Sequence, residues 1–584
     1  MAGETSGPQG GVEGYNGVAR ANGKRTKLHG RAFYESIGSP KFVLAPMVEQ
    51  SEFAWRLLSR SFLPPDQQTS MLAYTPMFHS KMFGEKSNYR DSHFQPLKST
   101  LPSPPDAYHI SQLPESDRHL DGNPAFDRPL TVQFCSNDPD DFLRAAKHVA
   151  PFCDAVDLNL GCPQGIAKRG KYGAFLQEDQ GLIAKMIQKL HHELDVPVTA
   201  KMRVLETKEA TLAYAKTLLD AGASIITVHG RRREQKGHNT GLADWQMIRF
   251  LRESLPKTTV IFANGNILQH EDIDACLEAT GADAVMSAEG NLYDPTIFAQ
   301  APPLGQEGRE YWRDRDGKGG YRVDAVMRRY MDIIHKYALG QQPPERKPLW
   351  VPGGPEEAPL QAQTPEEEEG PPKKKQKRMS KTEKKREKTS NPNLTAMQAH
   401  LFHLLRPLVS EHHNVRDALA RSRTGDIHAF ENVLTLVEKV VKQGITAYEA
   451  EHINTLDNAT TAPEPTITEQ PTARLDSYES SLATVARCKR PYWVCQPYVR
   501  PLPKEAIEKG SMTMSKKEKK RLEEESAREV QNTKAAGLEP GGRIEKESAK
   551  IGEVLGKESL EQSERKDSES GGVVEEPKEG VVCG

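Results

Sequence analysis

Short apolar runs recur along the first half of the chain, and each ends in a polar or glycine-containing motif. Eight of them lie between positions 41 and 291: KFVLAPM, MLAYTPM, LTVQFC, AVDLNLGCP, VPVTAKMR, SIITVHGR, TVIFANGN and AVMSAEGN. Apolar runs of this length between polar motifs predict buried β-strands. Most of the intervening segments have helical length and helical apolar spacing, at 138–150, 181–194, 208–221 and 270–280.

Strands and helices that alternate eight times predict an α/β fold, a (β/α)8 TIM barrel over residues 39–305. The competing fold is an open, doubly wound parallel sheet. The count of eight runs and the absence of a GxGxxG turn from the sequence favour the barrel.

Polar side chains follow strand after strand at the carboxyl end, where such barrels carry their active sites. Singly, each has a structural explanation, such as a core histidine for His229 or a partly buried stem for Lys201. Their recurrence at one end predicts a functional rim instead. The residues concerned are Pro46, Met47, Gln133, Asn159, Cys162, Lys201, Arg203, His229, Arg231, Asn264, Ala288 and Glu289.

The motif around Cys162 combines a thiol with positive charge. Gly161 ends the preceding strand, and Pro163 fixes the backbone after the cysteine. The loop that follows is basic and contains Lys168 and Arg169. A thiol beside positive charge suits chemistry on an anionic polymer, whereas the alternative is a buried structural cysteine before a turn.

Two turns predict a phosphate cradle. Asn264, Gly265 and Asn266 follow the seventh run, and the small-residue turn 287–290 follows the eighth. Backbone N–H groups in these turns can hold a phosphate, as in many such barrels. With Lys201 and His229 nearby, we expect an anionic, phosphorylated cofactor.

The rest of the chain divides by composition. Residues 318–342 and 394–455 carry helical apolar spacing with frequent basic residues, which predicts a mostly helical domain. Low-complexity composition predicts disorder for the charged linker 343–393, the N-terminal tail 1–38 and the C-terminal tail 510–584. Residues 456–509, which contain CKRPYWVCQPYVRP, are predicted to pack as an extended strap, with RNA stacking as the alternative.

Composition narrows the setting. Seven scattered cysteines favour a reducing compartment, and no apolar run approaches the roughly 18 residues that span a membrane. We therefore expect an intracellular protein, in cytoplasm or nucleus, that is monomeric and binds neither membrane nor metal. The basic run 373–378 is either a nuclear localisation signal, a phosphate-binding arm or a solvated linker.

These motifs resemble those of the tRNA dihydrouridine synthases. The resemblance covers about residues 40–300 closely and 320–450 more weakly, and it rests on APM, Gln133, N-x-GCP, K-x-R, HGR and NGN. GCPQGIAKRGKYGAFL and SAEGNL resemble the eukaryotic branch that acts on uridines 16 and 17 of the tRNA D-loop. Many relatives have Gly-Arg after strand eight, where this chain and that branch have Ala288-Glu289.

The resemblance implies FMN on the rim, reduced by NADPH or NADH, and tRNA bound by the helical domain. It implies that Cys162 is the general acid that protonates uracil C5. It implies flavin contacts from Pro46, Met47, Val48, Gln133, Lys201, His229, Asn264, Gly265, Asn266, Ala288 and Glu289. Asn159, Arg203 and Arg231 would contact the substrate, whose base must be extruded from its stack.

Two rival functions remain at this point. One is an FMN barrel that reduces a small pyrimidine or enone. The other is an RNA-binding protein without enzymatic activity, which bound flavin would exclude. The basic loop after Cys162 and the basic helical segment favour a tRNA substrate.

Overall fold

The computed structural model describes residues 20–21, 24–25, 27–99, 113–354, 391–459 and 481–508. Eight parallel strands within these ranges close into a barrel, which confirms the predicted fold. Each strand pairs with the next along the chain, and the last pairs with the first. The strands β1–β8 are Phe42–Leu44, Met71–Tyr74, Leu130–Cys135, Ala155–Leu160, Val198–Arg203, Ile225–His229, Val260–Asn264 and Ala284–Ser287.

Helices surround this barrel. Side chains of Asp138, Asp179, Thr207 and Asp244 accept backbone N–H bonds at the starts of four of them, which explains where these helices begin. In the described part, α1–α11 are Gly30–Ser36, Phe53–Arg60, Ser80–Glu85, Ser87–His93, Pro139–Val149, Gly165–Gly170, Gln180–Glu193, Lys208–Asp220, Trp245–Ser254, Glu271–Thr280 and Glu289–Tyr293.

The barrel strands are buried on both faces. Every residue of β3, β4 and β5 is buried, as expected for parallel strands covered by helices. Among the buried side chains of these strands, Gln133, Asp157 and Thr199 form a hydrogen-bonded polar group. Because buried polar groups require partners, this group determines the geometry of the strand ends above it.

A helical region follows the barrel and packs against it. A two-stranded hairpin, Tyr311–Arg313 with Gly319–Tyr321, leads into it. The helices α12–α17 are Val323–Ile333, Pro392–Thr395, Met397–Leu404, Arg406–Glu411, His413–Arg421 and Ile427–Ala459. The α12 helix continues into a π-helical turn, Ile334–Ala338.

The contact between the helical region and the barrel is polar and buried. The ring of His400 on α14 stacks on Trp55 of α2, with centroids 3.8 Å apart and planes 1° apart. His400 Nε2 lies 3.0 Å from a carboxylate oxygen of Glu52. Asn393 Oδ1 accepts the backbone N–H of Ala54 at 2.9 Å. These contacts fix the helical region against α2.

The segment 481–508 lies across the barrel and the helical region. It contains α18, Ser481–Cys488, and α19, Pro503–Glu508, joined by an extended stretch. Trp493 and Val494 are buried, and Val494 forms a β-bridge with Arg322. Arg487 pairs with the buried Asp272 at 2.7 Å. We call residues 489–502 the strap.

The structure differs from the predicted boundaries before the barrel and at the start of the predicted linker. Residues 27–38 belong to the fold, because Phe33 and Tyr34 are buried and the Tyr34 hydroxyl donates to the carbonyl of Asp283. Residues 343–354 also pack, since Leu349 is buried and Arg346 pairs with Glu431 on α17. The predicted strap contains two helices. The remaining parts of the predicted tails and linker lie outside the described residues.

Two structural features are relevant to the prediction that the protein binds neither membrane nor metal. None of the described helices is both long and apolar enough to cross a bilayer. The same ranges contain no group of three or more His, Cys, Asp or Glu side chains placed to hold a metal ion.

Candidate active site

The strand register brings the predicted rim residues together. Asn159 lies beside Lys201, Arg203 beside His229, and His229 beside Asn264 in neighbouring strands. All five are at most 5 % exposed. Buried polar side chains at the carboxyl ends of four consecutive strands make this rim a candidate active site.

A hydrogen-bonded chain begins in the barrel interior beneath this rim. Thr199 Oγ1 donates to Asp157 Oδ1 at 2.6 Å, and Gln133 Nε2 donates to Asp157 Oδ2 at 2.8 Å. Asn159 Nδ2 in turn donates to Gln133 Oε1 at 2.8 Å. Burial raises the pKa of Asp157 to about 6, against the opposing effect of these two donors and of Lys201.

The chain ends on the backbone of Cys162. Asn159 Oδ1 accepts the N–H groups of Gly161 and Cys162 at 3.1 and 2.9 Å. On the other side, the N–H of Ala174 donates to the Cys162 carbonyl. Gly173 has φ +65°, and a Cβ there would lie 2.7 Å from the same carbonyl oxygen. The Cys162 backbone is therefore held by Asn159 on one side and by the following loop on the other, and the residue is only 1 % exposed.

The two predicted substrate-contacting arginines hold loops of the rim. Arg203 Nε donates to the Gly161 carbonyl at 2.6 Å, and its Nη1 donates to the Arg232 carbonyl. Arg231 donates from Nη2 to Asn266 Oδ1 at 2.8 Å. Both guanidinium groups therefore contribute positive charge while they order the loops after β4, β6 and β7.

His229 is neutral in this setting. Burial lowers its pKa well below the usual value, and the cations Arg203, Lys201 and Arg231 lower it further. Its Nε2 lies 3.1 Å from Arg231 Nη1, and its Nδ1 is buried without a hydrogen-bond partner among the described residues. A neutral imidazole can donate one hydrogen bond and accept another.

The two turns at the ends of β7 and β8 pack tightly. Gly265 has φ +113°, and a Cβ there would lie 2.6 Å from Ala243 Cβ. A Cβ at Gly290 would lie 2.2 Å from the Ile267 carbonyl oxygen. Asn264 Nδ2 donates to the Met286 carbonyl, and its Oδ1 is buried without a partner in the described structure. The turns thus form a close backbone cradle with an unused polar atom.

Glu289 opens the β8 end of the rim and pairs with the strap. Arg500 Nη2 lies 2.7 Å from Glu289 Oε1. Tyr498 of the strap stacks under the Arg406 guanidinium, 3.8 Å from carbon to ring centroid. The negative charge of Glu289 beside the cradle is therefore balanced from a segment 211 positions away in sequence.

The APM motif follows β1 on the same rim. Pro46 and Met47 are buried, whereas Val48 is 39 % exposed. The N–H of Met47 donates to Ser51 Oγ at 3.0 Å, which fixes this short loop. Its apolar side chains suit the face of a planar ring system.

Comparison with known proteins identifies the family. The family described as dihydrouridine synthase (Dus) matches residues 43–337. The chain belongs to the dihydrouridine synthase family. It is 40 % identical to a Schizosaccharomyces pombe protein named tRNA-dihydrouridine(16/17) synthase [NAD(P)(+)], over 82 % of this chain and 92 % of that one. It is 40 % identical to the Saccharomyces cerevisiae protein of the same name, over 82 % and 88 %.

A rat protein named tRNA-dihydrouridine(16/17) synthase [NAD(P)(+)]-like is 33 % identical, over 85 % of this chain and 82 % of that one. The family match ends at residue 337. The alignments to these relatives cover 82–85 % of this dihydrouridine synthase, so the likeness extends beyond its barrel. The sequence-based assignment to this family is therefore confirmed.

Two residues at the rim of this dihydrouridine synthase were not predicted from the sequence. Asp157 stands two positions before Asn159, and the strand alternation of D-x-N was a usable sign that both share one face. Arg500 offered no such sign, because nothing in a local pattern connects it to Glu289. The roles of the predicted site residues remain proposals, which we develop next.

Proposed function

We propose that this chain reduces uridines 16 and 17 of tRNA to 5,6-dihydrouridine, with NADPH or NADH as the reductant and FMN as the bound cofactor. The observation that carries the proposal is the likeness to the two yeast enzymes, which spans nearly their whole length. A buried cysteine on a cationic barrel rim agrees with that activity.

The rim residues fit an FMN group. A phosphate would be held by backbone N–H groups of the turns at Gly265 and Gly290, and Lys201, Arg203 and Arg231 supply positive charge. The buried, unpartnered atoms His229 Nδ1 and Asn264 Oδ1 lack the partners that a polar ligand would provide.

The proposed contacts divide the cofactor between two groups of residues. Lys201, His229, Asn264, Gly265, Asn266, Ala288 and Glu289 would surround its ribityl and phosphate groups and the edge of its ring. Pro46, Met47 and Val48 would lie against its ring face, and Gln133 would donate its second amide hydrogen to it. When bound, reduced FMN supplies a hydride to uracil C6.

The protein itself supplies the second hydrogen that is added to the uracil. Saturation of the C5–C6 bond requires a proton at C5, and we assign its donor as the Cys162 thiol. Asn159, Arg203 and Arg231 would orient the uracil and neighbouring phosphates. Cys162 is only 1 % exposed, so a uracil can reach its thiol only if the residues around it move.

The test uses the purified full-length chain, NADPH and unmodified tRNA. We expect flavin absorbance that NADPH bleaches, and dihydrouridine at positions 16 and 17 when the product tRNA is sequenced position by position. A flavin-containing protein that reduces free uracil or small enones but leaves tRNA unchanged would favour the rival small-molecule reductase. A colourless protein that cannot be reconstituted with FMN would refute the flavin assignment.

A further inference from the structure

The polarity of the buried hydrogen-bond chain is set by an acceptor, the Asp157 carboxylate, at one end and by two backbone N–H donors at the other. An ionised carboxylate only accepts hydrogen bonds, whereas the amides of Gln133 and Asn159 each present a donor on one side and an acceptor on the other. Because Asp157 accepts from Gln133, the Gln133 oxygen is directed at Asn159. Asn159 must then turn its NH2 towards Gln133 and its oxygen towards the loop.

The orientation of Asn159 matters at Cys162. Its oxygen accepts two backbone N–H groups, those of Gly161 and Cys162. If the amide were reversed, its NH2 would face these two donors and both bonds would be lost. The carboxylate of Asp157 therefore stabilises, through two intervening amides, the orientation of Asn159 that holds the Cys162 backbone.

We propose that Asp157 is a positioning residue that fixes the amide of Gln133 on the cofactor side and clamps the loop that carries Cys162. The side chains of Asp157, Gln133 and Asn159, which form this hydrogen-bond chain, are each at most 2 % exposed, so water does not offer substitute partners. The part that concerns Gln133 rests on the proposed flavin function. The part that concerns Cys162 does not require flavin.

The experiment measures alkylation of Cys162 by iodoacetamide in the purified full-length protein, resolved by peptide mass spectrometry. Cys276, a buried cysteine on α10, is the internal reference. In Asp157→Asn one of the two acceptor oxygens becomes an NH2 donor, so position 157 can no longer accept from both Thr199 and Gln133, and the two amides reverse wherever this NH2 faces Gln133. We expect alkylation of Cys162 to accelerate by about tenfold or more, since two backbone hydrogen bonds are weakened and each is worth up to about that factor, while Cys276 is unchanged.

A reciprocal exchange tests the polarity itself. In Gln133→Glu alone, two carboxylates face each other, and Cys162 should become reactive. In the double variant Gln133→Glu with Asp157→Asn, the new amide at position 157 can donate to the new carboxylate at position 133, which can accept from Asn159. The total charge equals that of the wild type, and we expect Cys162 protection to return. The flavin contact should not return, because the carboxylate at position 133 has no amide hydrogen to offer.

Thr199→Val is the matched control, since it removes a hydroxyl from the same carboxylate but leaves the Gln133 bond in place. Cys162 should remain protected in this variant. Unchanged reactivity in a folded Asp157→Asn, or a failure of the double variant to protect Cys162 better than Gln133→Glu, would overturn the proposal. If Asp157→Asn does not fold, the comparison of Gln133→Glu with the double variant decides alone. Absence of flavin from the wild type and from Thr199→Val as well would count against the proposed cofactor and leave the thiol result interpretable.

Discussion

On the β3–β5 side of the rim, the groups from Thr199 to the Cys162 backbone are buried and bonded to each other at 2.6–3.1 Å. On the β8 side, Glu289 meets Arg500 of the strap with side chains 30 % and 39 % exposed. Both arrangements place a carboxylate on or beneath the rim. They differ in whether water can replace a lost partner.

That difference predicts different consequences for the same kind of change. A buried polar group without a partner loses its hydration with no compensation, so one substitution disturbs the whole chain from Asp157 to Cys162. An exposed ion pair is screened by water and salt, so its loss is partly compensated. We expect specific geometry from the β3–β5 side and adjustable charge from the β8 side.

The largest expected effect is at Cys162, where the buried chain ends. Cys162→Ala should slow the reoxidation of NADPH-reduced enzyme by tRNA by about 10²–10⁴-fold, the usual value of general acid catalysis. Bleaching of the flavin by NADPH needs no acid and should keep its rate. Single-turnover absorbance measures both steps, with Cys276→Ala as the control. A normal reoxidation rate by tRNA would remove Cys162 from the mechanism.

The next effect concerns stability at a second buried pair. His400→Ala leaves the Glu52 carboxylate without its imidazole partner in a site where both side chains are at most 2 % exposed. We expect a loss of about 3–5 kcal/mol in the free energy of unfolding, measured by urea denaturation. Glu253→Ala, which breaks the exposed pair with Arg249, should cost less than about 1 kcal/mol. Equal losses in the two variants would contradict the distinction between buried and exposed pairs.

The next prediction concerns how the protection of Cys162 from alkylation depends on pH. Burial raises the pKa of Asp157 to about 6, above the ordinary 3.8, while Lys201, Thr199 and Gln133 oppose the rise and Tyr74 lies close by. The folded state therefore binds this proton more readily than the unfolded state, and ionisation between these values lowers stability as pH rises. Only the ionised carboxylate accepts from both Thr199 and Gln133, so this orientation of the two amides should be most stable above about pH 6.

The measurement compares alkylation of Cys162 in wild type and Asp157→Asn. The ratio of the two rates should be about tenfold at about pH 7.5 and should approach one as pH falls through about 6, because a protonated Asp157 resembles Asn. Ionisation of the thiol affects both proteins and cancels in the ratio. A ratio that stays constant with pH would show that the charge of Asp157 is not what orients the chain.

Features that repeat along the sequence, such as the barrel strands, were predicted. Contacts between residues far apart in the sequence were not. Eight apolar runs specified eight barrel strands, because both faces of a parallel barrel strand are buried and this leaves a continuous pattern. The carboxyl ends of those strands located Lys201, His229 and Asn264. The segments 27–38 and 343–354 were predicted to belong to a disordered tail and a disordered linker, because a few buried side chains such as Tyr34 or Leu349 leave no periodic signal.

The same reasoning applies to the site. The motif around Cys162 identified the cysteine but not its clamp, which depends on which way two amides point. Asp157 could have been inferred from strand alternation, since it shares a face with Asn159. Arg500 could not, because the strap that carries it is held in place by the burial of Trp493 and Val494, far from Glu289 in sequence.

The smallest expected effect is at Arg500. Arg500→Ala leaves Glu289 unpaired beside the proposed phosphate cradle, where the negative charge of Glu289 would repel the phosphate group of the cofactor. The pair is partly exposed, so we expect flavin affinity to fall by no more than about fivefold, the equivalent of about 1 kcal/mol. Added salt should reduce the difference, and the double variant Glu289→Ala with Arg500→Ala should recover the affinity because it removes the repulsive charge. Flavin fluorescence titration at two salt concentrations measures this. A larger loss that persists in the double variant and at high salt would mean that Arg500 contacts the phosphate itself, and the β8 side would then be as specific as the buried side.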